Sequence, residues 1–154
     1  MWAGVRLLLR VRTSEPSSGL VRSWASVLYG LPFIWVGTRH FVDPVVFEPI
    51  VPTYLGMPRF WVLLTGVTEI GVGLGIMWSR TRRLASILMI AQLCLLYLGN
   101  LHMWVNDVPF DGVSLSTTGH TIRAAIQVLL ILIAAWLGGV GPFAEPESDQ
   151  AQPE

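Results

Sequence analysis

Four stretches of this chain stay apolar long enough to cross a lipid bilayer: residues 24–41, 59–78, 84–105 and 120–138. A helix rises about 1.5 Å per residue, so roughly 20 mostly apolar residues cover the ~30 Å of hydrocarbon. Helices in water set an apolar stripe against a polar face. Residues 84–98 and 124–137 are instead apolar nearly all round, interrupted by Gln92 and Gln127. The pattern predicts an all-α protein, a four-transmembrane-helix bundle, with lipid as the solvent for most side chains.

The connecting segments set its orientation, because arginines in short segments beside membrane helices are held on the cytoplasmic side. Arg6, Arg10, Arg12 and Arg22 precede the first span, and Arg80, Arg82 and Arg83 fill the turn between the second and third. Residues 42–58 and 106–119 contain Asp43, Glu48, Asp107 and Asp111 but no arginine, which places them outside and both termini in the cytoplasm. The expected organisation is a basic cytoplasmic tail at 1–21, a four-helix membrane domain at 22–139 and an acidic, disordered cytoplasmic tail at 140–154. The start does not read as a cleaved targeting signal: Leu7 to Leu9 is a short apolar run bracketed by Arg6 and Arg10, and no small-residue cleavage site follows. Multi-pass insertion in the plasma (inner) membrane is the expected location.

No hydrophobic force holds helices together in lipid, so their backbones approach through small residues. Gly66, Gly71, Gly73 and Gly75 recur in the second span. Gly71 and Gly75 form a GxxxG pair that either seats a neighbouring helix of the same chain or joins two copies in a homodimer. Pro32 removes a backbone hydrogen bond to Leu28 and predicts a kink there. Pro44, Pro49, Pro52 and Pro58 forbid regular helix through the first outer connection. That connection is expected to cap the bundle, with Phe41, Phe47, Tyr54 and Trp61 at headgroup depth.

Composition narrows the function classes. With 53% hydrophobic and 13% charged residues, the 154-residue chain is neither an ordinary soluble domain nor a disordered one. Ten basic residues, all arginine, against ten acids give a formal net charge of +0, which leaves no basic surplus for a nucleic-acid partner. Arginine without lysine is the usage of a bacterial genome of high G+C content. The lone Cys94 excludes an internal disulfide, a CxxC pair and a cysteine zinc site, and among leucines it reads as a packing residue. No nucleotide-binding loop, Ser-His-Asp arrangement or catalytic carboxylate pair is found, and no spacing among His40, His102 and His120 supports a metal or haem.

An ionisable group at mid-membrane costs roughly 2.5–3.5 kcal/mol, so it is paired, wetted or functional. Glu69 is that group, about 15 Å below the outer end of its span. Gln92 and Asn100 lie on nearly the same face of the third span, and His120, Arg123 and Gln127 form one stripe down the fourth. His102 points about 200° away from Asn100 and reads as interfacial. Arg39 and His40 end the first span on the same side. The expectation is one outward-opening polar pocket in which Arg39 or Arg123 pairs with Glu69. Hydrogen-bonding glue between helices is the competing reading for Gln92, Asn100 and Gln127.

Several short blocks, in order, carry a resemblance over about two thirds of the chain. They are Arg39-His40-Phe41, Ile50-Val51-Pro52, the run from Thr65 to Gly75, Thr81-Arg82-Arg83, Gly99-Asn100-Leu101-His102-Met103, and Arg123 with Gln127. In these the chain resembles the DoxX-like family of small four-helix membrane proteins. The resemblance implies a membrane subunit linked to thiosulfate:quinone oxidoreduction or to oxidant-defence and thiol-handling complexes. It departs from the family in having no cysteine pair, which argues against direct thiol exchange, and in carrying Gly99 where many relatives have alanine.

The expected function is therefore a redox-linked subunit in a membrane complex, with a quinone as candidate cofactor. Glu69 would be the catalytic, proton-handling residue, and Arg39, His40, Asn100, His120, Arg123 and Gln127 would bind the substrate. Arg123 or His120 would meet the quinone oxygen. A non-catalytic membrane partner that recruits or stabilises other proteins is the alternative. A small-solute or proton carrier needs a continuous polar route, which the apolar inner halves of the spans oppose.

Overall fold

Each helix begins and ends where local chemistry gives it reason to. In the computed structural model, which describes residues 16–144, four helices follow one another: α1 (Pro16–Val42), α2 (Pro58–Met77), α3 (Arg82–Val105) and α4 (Thr117–Gly138). Proline leads α1 and α2, where its missing N–H costs nothing. Gly56 and Met57, at φ 59° and 45°, turn the chain sharply into α2. The Ser116 hydroxyl accepts from the Gly119 N–H at 3.3 Å and caps the start of α4. Gly139, at φ 58°, closes its far end in a left-handed conformation that favours glycine.

The prolines of the first connection break it into three 3-10 turns, Pro44–Val46, Glu48–Ile50 and Thr53–Leu55. Helix α1, by contrast, runs through Pro32 without interruption. The described part of α1 takes in residues 16–21, which are helical. Apolarity marks the stretch suited to lipid; the backbone stays helical beyond it until a cap or proline intervenes. Likewise Gly141–Phe143 is a 3-10 turn within the expected acidic tail. The remainder of both tails, with Arg6, Arg10 and Arg12, lies outside the described residues.

Helices α2 and α3 and the segment Thr117–Phe143 are long and apolar enough to cross a membrane. Helix α1 has 27 residues but does not meet the same standard, because Ser23, Ser26, Gly30, Gly37, Thr38 and Arg39 dilute it. Its outward face is nonetheless apolar: Leu20, Trp24, Leu28, Leu31 and Trp35 are all exposed, at helical spacing. Among the described residues there is no β-strand.

The core gathers Tyr29 of α1, Val72 and Ile76 of α2, Ala85, Met89 and Leu93 of α3, and Ala134 and Leu137 of α4. Both long connections, residues 43–57 and 106–116, lie at one end, where Phe47 meets Phe110 with ring centroids 5.6 Å apart. The opposite end is tied by arginine. Arg22 donates to the Leu137 carbonyl at 3.0 Å and the Trp136 carbonyl at 2.7 Å, and Arg82 to the Ile76 carbonyl at 3.0 Å. Guanidinium groups thus satisfy the last carbonyls of α4 and α2, which the helices themselves leave unpaired.

Candidate functional site

The site is built on a crossing of α1 and α2 that only glycine permits. The helices run antiparallel, with Gly30 against Gly73 and Gly37 against Gly66. A Cβ at Gly30 would stand 2.6 Å from the Gly73 carbonyl oxygen, and one at Gly37 2.8 Å from that of Gly66. Seven residues separate the glycines on each helix, close to two turns, so both pairs fall on one seam. Of the expected GxxxG pair, a Cβ at Gly75 would lie 2.8 Å from that of Ala85 on α3, while Gly71 has nothing near it. Gly75 therefore seats a helix of its own molecule.

The seam brings His40 and Glu69 together. Nδ1 of His40 lies 3.5 Å from Oε2 of Glu69. Both residues are buried, at 5% and 4% exposure. Nδ1 is also 2.9 Å from the Val36 carbonyl, an acceptor, so the Nδ1–H donates to the backbone. Oε2 of Glu69 is left with no hydrogen-bond partner among the described residues. A carboxyl oxygen without a partner, buried beside an imidazole in an apolar bundle, is costly to maintain and chemically available.

Aromatic rings close the site at the end that carries the two long connections. Phe47 stacks on His40 with centroids 4.0 Å apart, and also contacts Phe110. The Arg123 guanidinium lies over Phe110, 5.8 Å from its centroid, and one of its N–H groups is 3.1 Å from the Met103 sulfur. One run of contacts thus joins α1, both long connections, α3 and α4. Instead of an open polar mouth, the polar groups sit beneath rings.

The expected pairing of Glu69 with Arg39 or Arg123 is not found. Neither arginine has a carboxylate within 4.0 Å among the described residues. Glu69 faces α1 because Gly66 lets that helix close down on it, and Arg123 is engaged by Phe110 and Met103 on another side. Arg39 is half-buried at the end of α1. His120 is buried, but its ring stacks on Trp104 at 5.5 Å. Gln127 donates to the Leu93 carbonyl at 2.6 Å and Gln92 to the Thr65 carbonyl at 3.4 Å, both as interhelical glue. Asn100 is half-buried and makes no side-chain hydrogen bond among the described residues, beside Gly99, where Ile50 approaches α3. His102 is half-buried near the C-terminal end of α3 and bonds Asn106.

Sequence reasoning placed Phe47 at headgroup depth, met Met103 only inside a resemblance block and overlooked Phe110. Nothing in a single aromatic residue signals which ring it will stack on. The α1 glycines did leave a signal: Gly30 and Gly37 repeat the seven-residue interval of Gly66 and Gly73.

Fold and site together define an all-helical protein with three helices of membrane-crossing length and composition, compatible with a multi-pass membrane protein. The chain belongs to a family known by the description "Domain of unknown function (DUF8561)", which matches residues 29–138. That region takes in both glycine pairs and every side chain of the site. No curated protein and no solved structure matches the chain.

Proposed function

We propose that this is a four-span protein of the bacterial plasma membrane, with both termini cytoplasmic, acting as a redox-linked subunit of the kind its DoxX-like resemblance implies. The proposed site is His40, Glu69 and Arg123, framed by Phe47 and Phe110. The observation that carries the reading is the 3.5 Å approach of His40 to a buried Glu69 whose Oε2 is otherwise unpartnered. An ionisable pair kept inside an apolar bundle at such cost is the mark of a proton-handling site.

A quinone headgroup suits these residues. It is flat, matching the rings of Phe47 and Phe110, and its edge oxygens suit the remaining N–H donors of Arg123 and the edge of the His40 ring. A bound quinone supplies two-electron, two-proton carrier chemistry, and the electrons come from a partner protein. The chain's own residues bind and orient the headgroup, and Glu69 holds or passes a proton at Oε2. Titration of a ubiquinone or menaquinone analogue into the purified protein tests this. Saturable binding weakened about tenfold by Glu69→Gln, or ~1.4 kcal/mol, is expected. No saturable binding, or binding indifferent to that change, removes the proposal.

The cover that Phe47 lays over His40 favours a second reading, a non-catalytic partner that stabilises other membrane proteins. Crosslinking and pull-down from native membranes in mild detergent address it, and recovery of the chain alone counts against it. A solute or proton carrier gains little support, because Ile76, Met89, Leu93 and Leu137 fill the inner half with apolar side chains.

A further inference from the structure

The end of the bundle away from His40 and Glu69 holds a second set of charged groups with a different character. Arg22, Arg80, Arg82 and Arg83 all lie there. The acids of the described residues, Asp43, Glu48, Glu69, Asp107 and Asp111, lie in the outer connections or inside α2, so none neutralises them. Arg22 and Arg82 are both held in place by hydrogen bonds to helix-terminal carbonyls. Among the described residues Arg22 spends two of its N–H groups on α4 and Arg82 one on α2, which leaves further donors on both. Fixed cations at an end of the bundle where none of the described acids lies favour an anion from outside.

Beside Arg22 lies a cleft of about 310 Å³, walled by Gly19, Arg22, Trp136 and Phe143. Its volume is at the lower end of the small-ligand range. Two of its walls are aromatic, and Trp136 and Phe143 are 38% and 42% exposed. The site thus offers a guanidinium edge on one side and apolar rings on the other, at the level where α4 leaves the apolar layer. Trp rings and arginines at this depth meet lipid headgroups.

We infer that this cleft binds one anionic phospholipid from the leaflet at that end, its phosphate held by Arg22 and its glycerol and upper acyl segment lying against Trp136 and Phe143. The acidic segment 145–154 is the other anion within reach, since it follows directly on Phe143 and Ala144. It carries Glu145, Glu147, Asp149 and Glu154, but no large apolar residue to cover the two rings. A phospholipid supplies both the charge and the apolar surface. The inference is independent of any role for Glu69.

The test uses the full chain, purified in a neutral detergent, with lipid retention read by native mass spectrometry and thermal midpoint by light scattering. Phosphatidylglycerol is expected to be retained at one molecule per chain and to raise the midpoint, whereas phosphatidylcholine does neither. Arg22→Gln should cut retention about fivefold, the effect of one arginine near a charged headgroup, ~1 kcal/mol. Because Arg22 also caps α4, Phe143→Ala provides a second variant that leaves every charge in place and should also weaken retention. Equal retention of the two lipids, retention unchanged in both variants, or equal protection by soluble glycerol phosphate overturns the inference. So does retention that appears only after residues 145–154 are deleted, since the acidic segment would then be the natural occupant.

Discussion

Gly66 is what allows His40 to reach Glu69: a Cβ at position 66 would lie 2.8 Å from the Cβ of His40 and 3.0 Å from the Gly37 carbonyl oxygen. The smallest residue sits at one of the two points of close approach between α1 and α2, and the polar pair lies within one turn of that point on each helix. Closeness of backbones and closeness of the two side chains are one geometric fact, and each can be tested by disturbing the other.

Alanine at Gly37 or Gly73 should destabilise the folded protein by about 1–3 kcal/mol, the usual cost of forcing an extra methyl group into a closed contact. Gly71→Ala, with open space around it, should leave the thermal midpoint unchanged. Melting curves of the purified variants in one detergent compare them directly. Equal midpoints for all three would show that the crossing is looser than described.

Gly66→Ala makes a separate prediction, because the added methyl pushes His40 and its helix away from Glu69. Quinone-analogue binding should fall in this variant beyond what its loss of stability explains. The comparison to make is Gly73→Ala, which loosens the same seam two turns away. If both lower binding equally, the pair at His40 has no special part.

Removing the aromatic cover is expected to expose His40. In Phe47→Ala the stacked ring is gone, with a stability loss of about 0.5–1.5 kcal/mol from the aromatic contact. Modification of His40 by an imidazole-directed acylating reagent should then be faster than in the natural protein, as followed by peptide mass mapping. An unchanged rate would mean that another group shields the ring.

Helix α1 is fastened to α4 by the Tyr29 hydroxyl, which donates to the Leu130 carbonyl at 2.8 Å. Tyr29→Phe deletes that bond and little else. A loss of about 0.5–1.5 kcal/mol is expected, again read from the melting midpoint, with quinone-analogue affinity preserved. A fall in affinity would place the α1–α4 contact within the working site.

The four-span topology is tested by single cysteines in a Cys94→Ser background. Thr53→Cys and Ser114→Cys lie in the two outer connections, and Ser79→Cys in the arginine-rich turn. A membrane-impermeant thiol reagent added to intact cells should label the first two and reach the third only after permeabilisation. Labelling of position 79 in intact cells would invert the orientation.

Much of the architecture was legible in the residues themselves. The lengths of α2, α3 and α4, the turns made by Pro44, Pro49 and Pro52, and the burial of Glu69 follow from rise per residue, proline stereochemistry and the cost of charge in lipid. Each of these acts on the local chain, so one sequence suffices to read it.

What only the tertiary structure decided is which neighbour each polar group meets. Arg39 and Arg123 were reasonable partners for Glu69 by charge and depth, yet His40 takes the place. That outcome depends on how deeply two helices close upon each other, which is fixed jointly by Gly30, Gly37, Gly66 and Gly73 on separate segments. Phe110 and Met103 hold Arg123 for the same kind of reason. Sequence specifies the chemistry each helix face carries; the contact between faces exists only once the backbones have met.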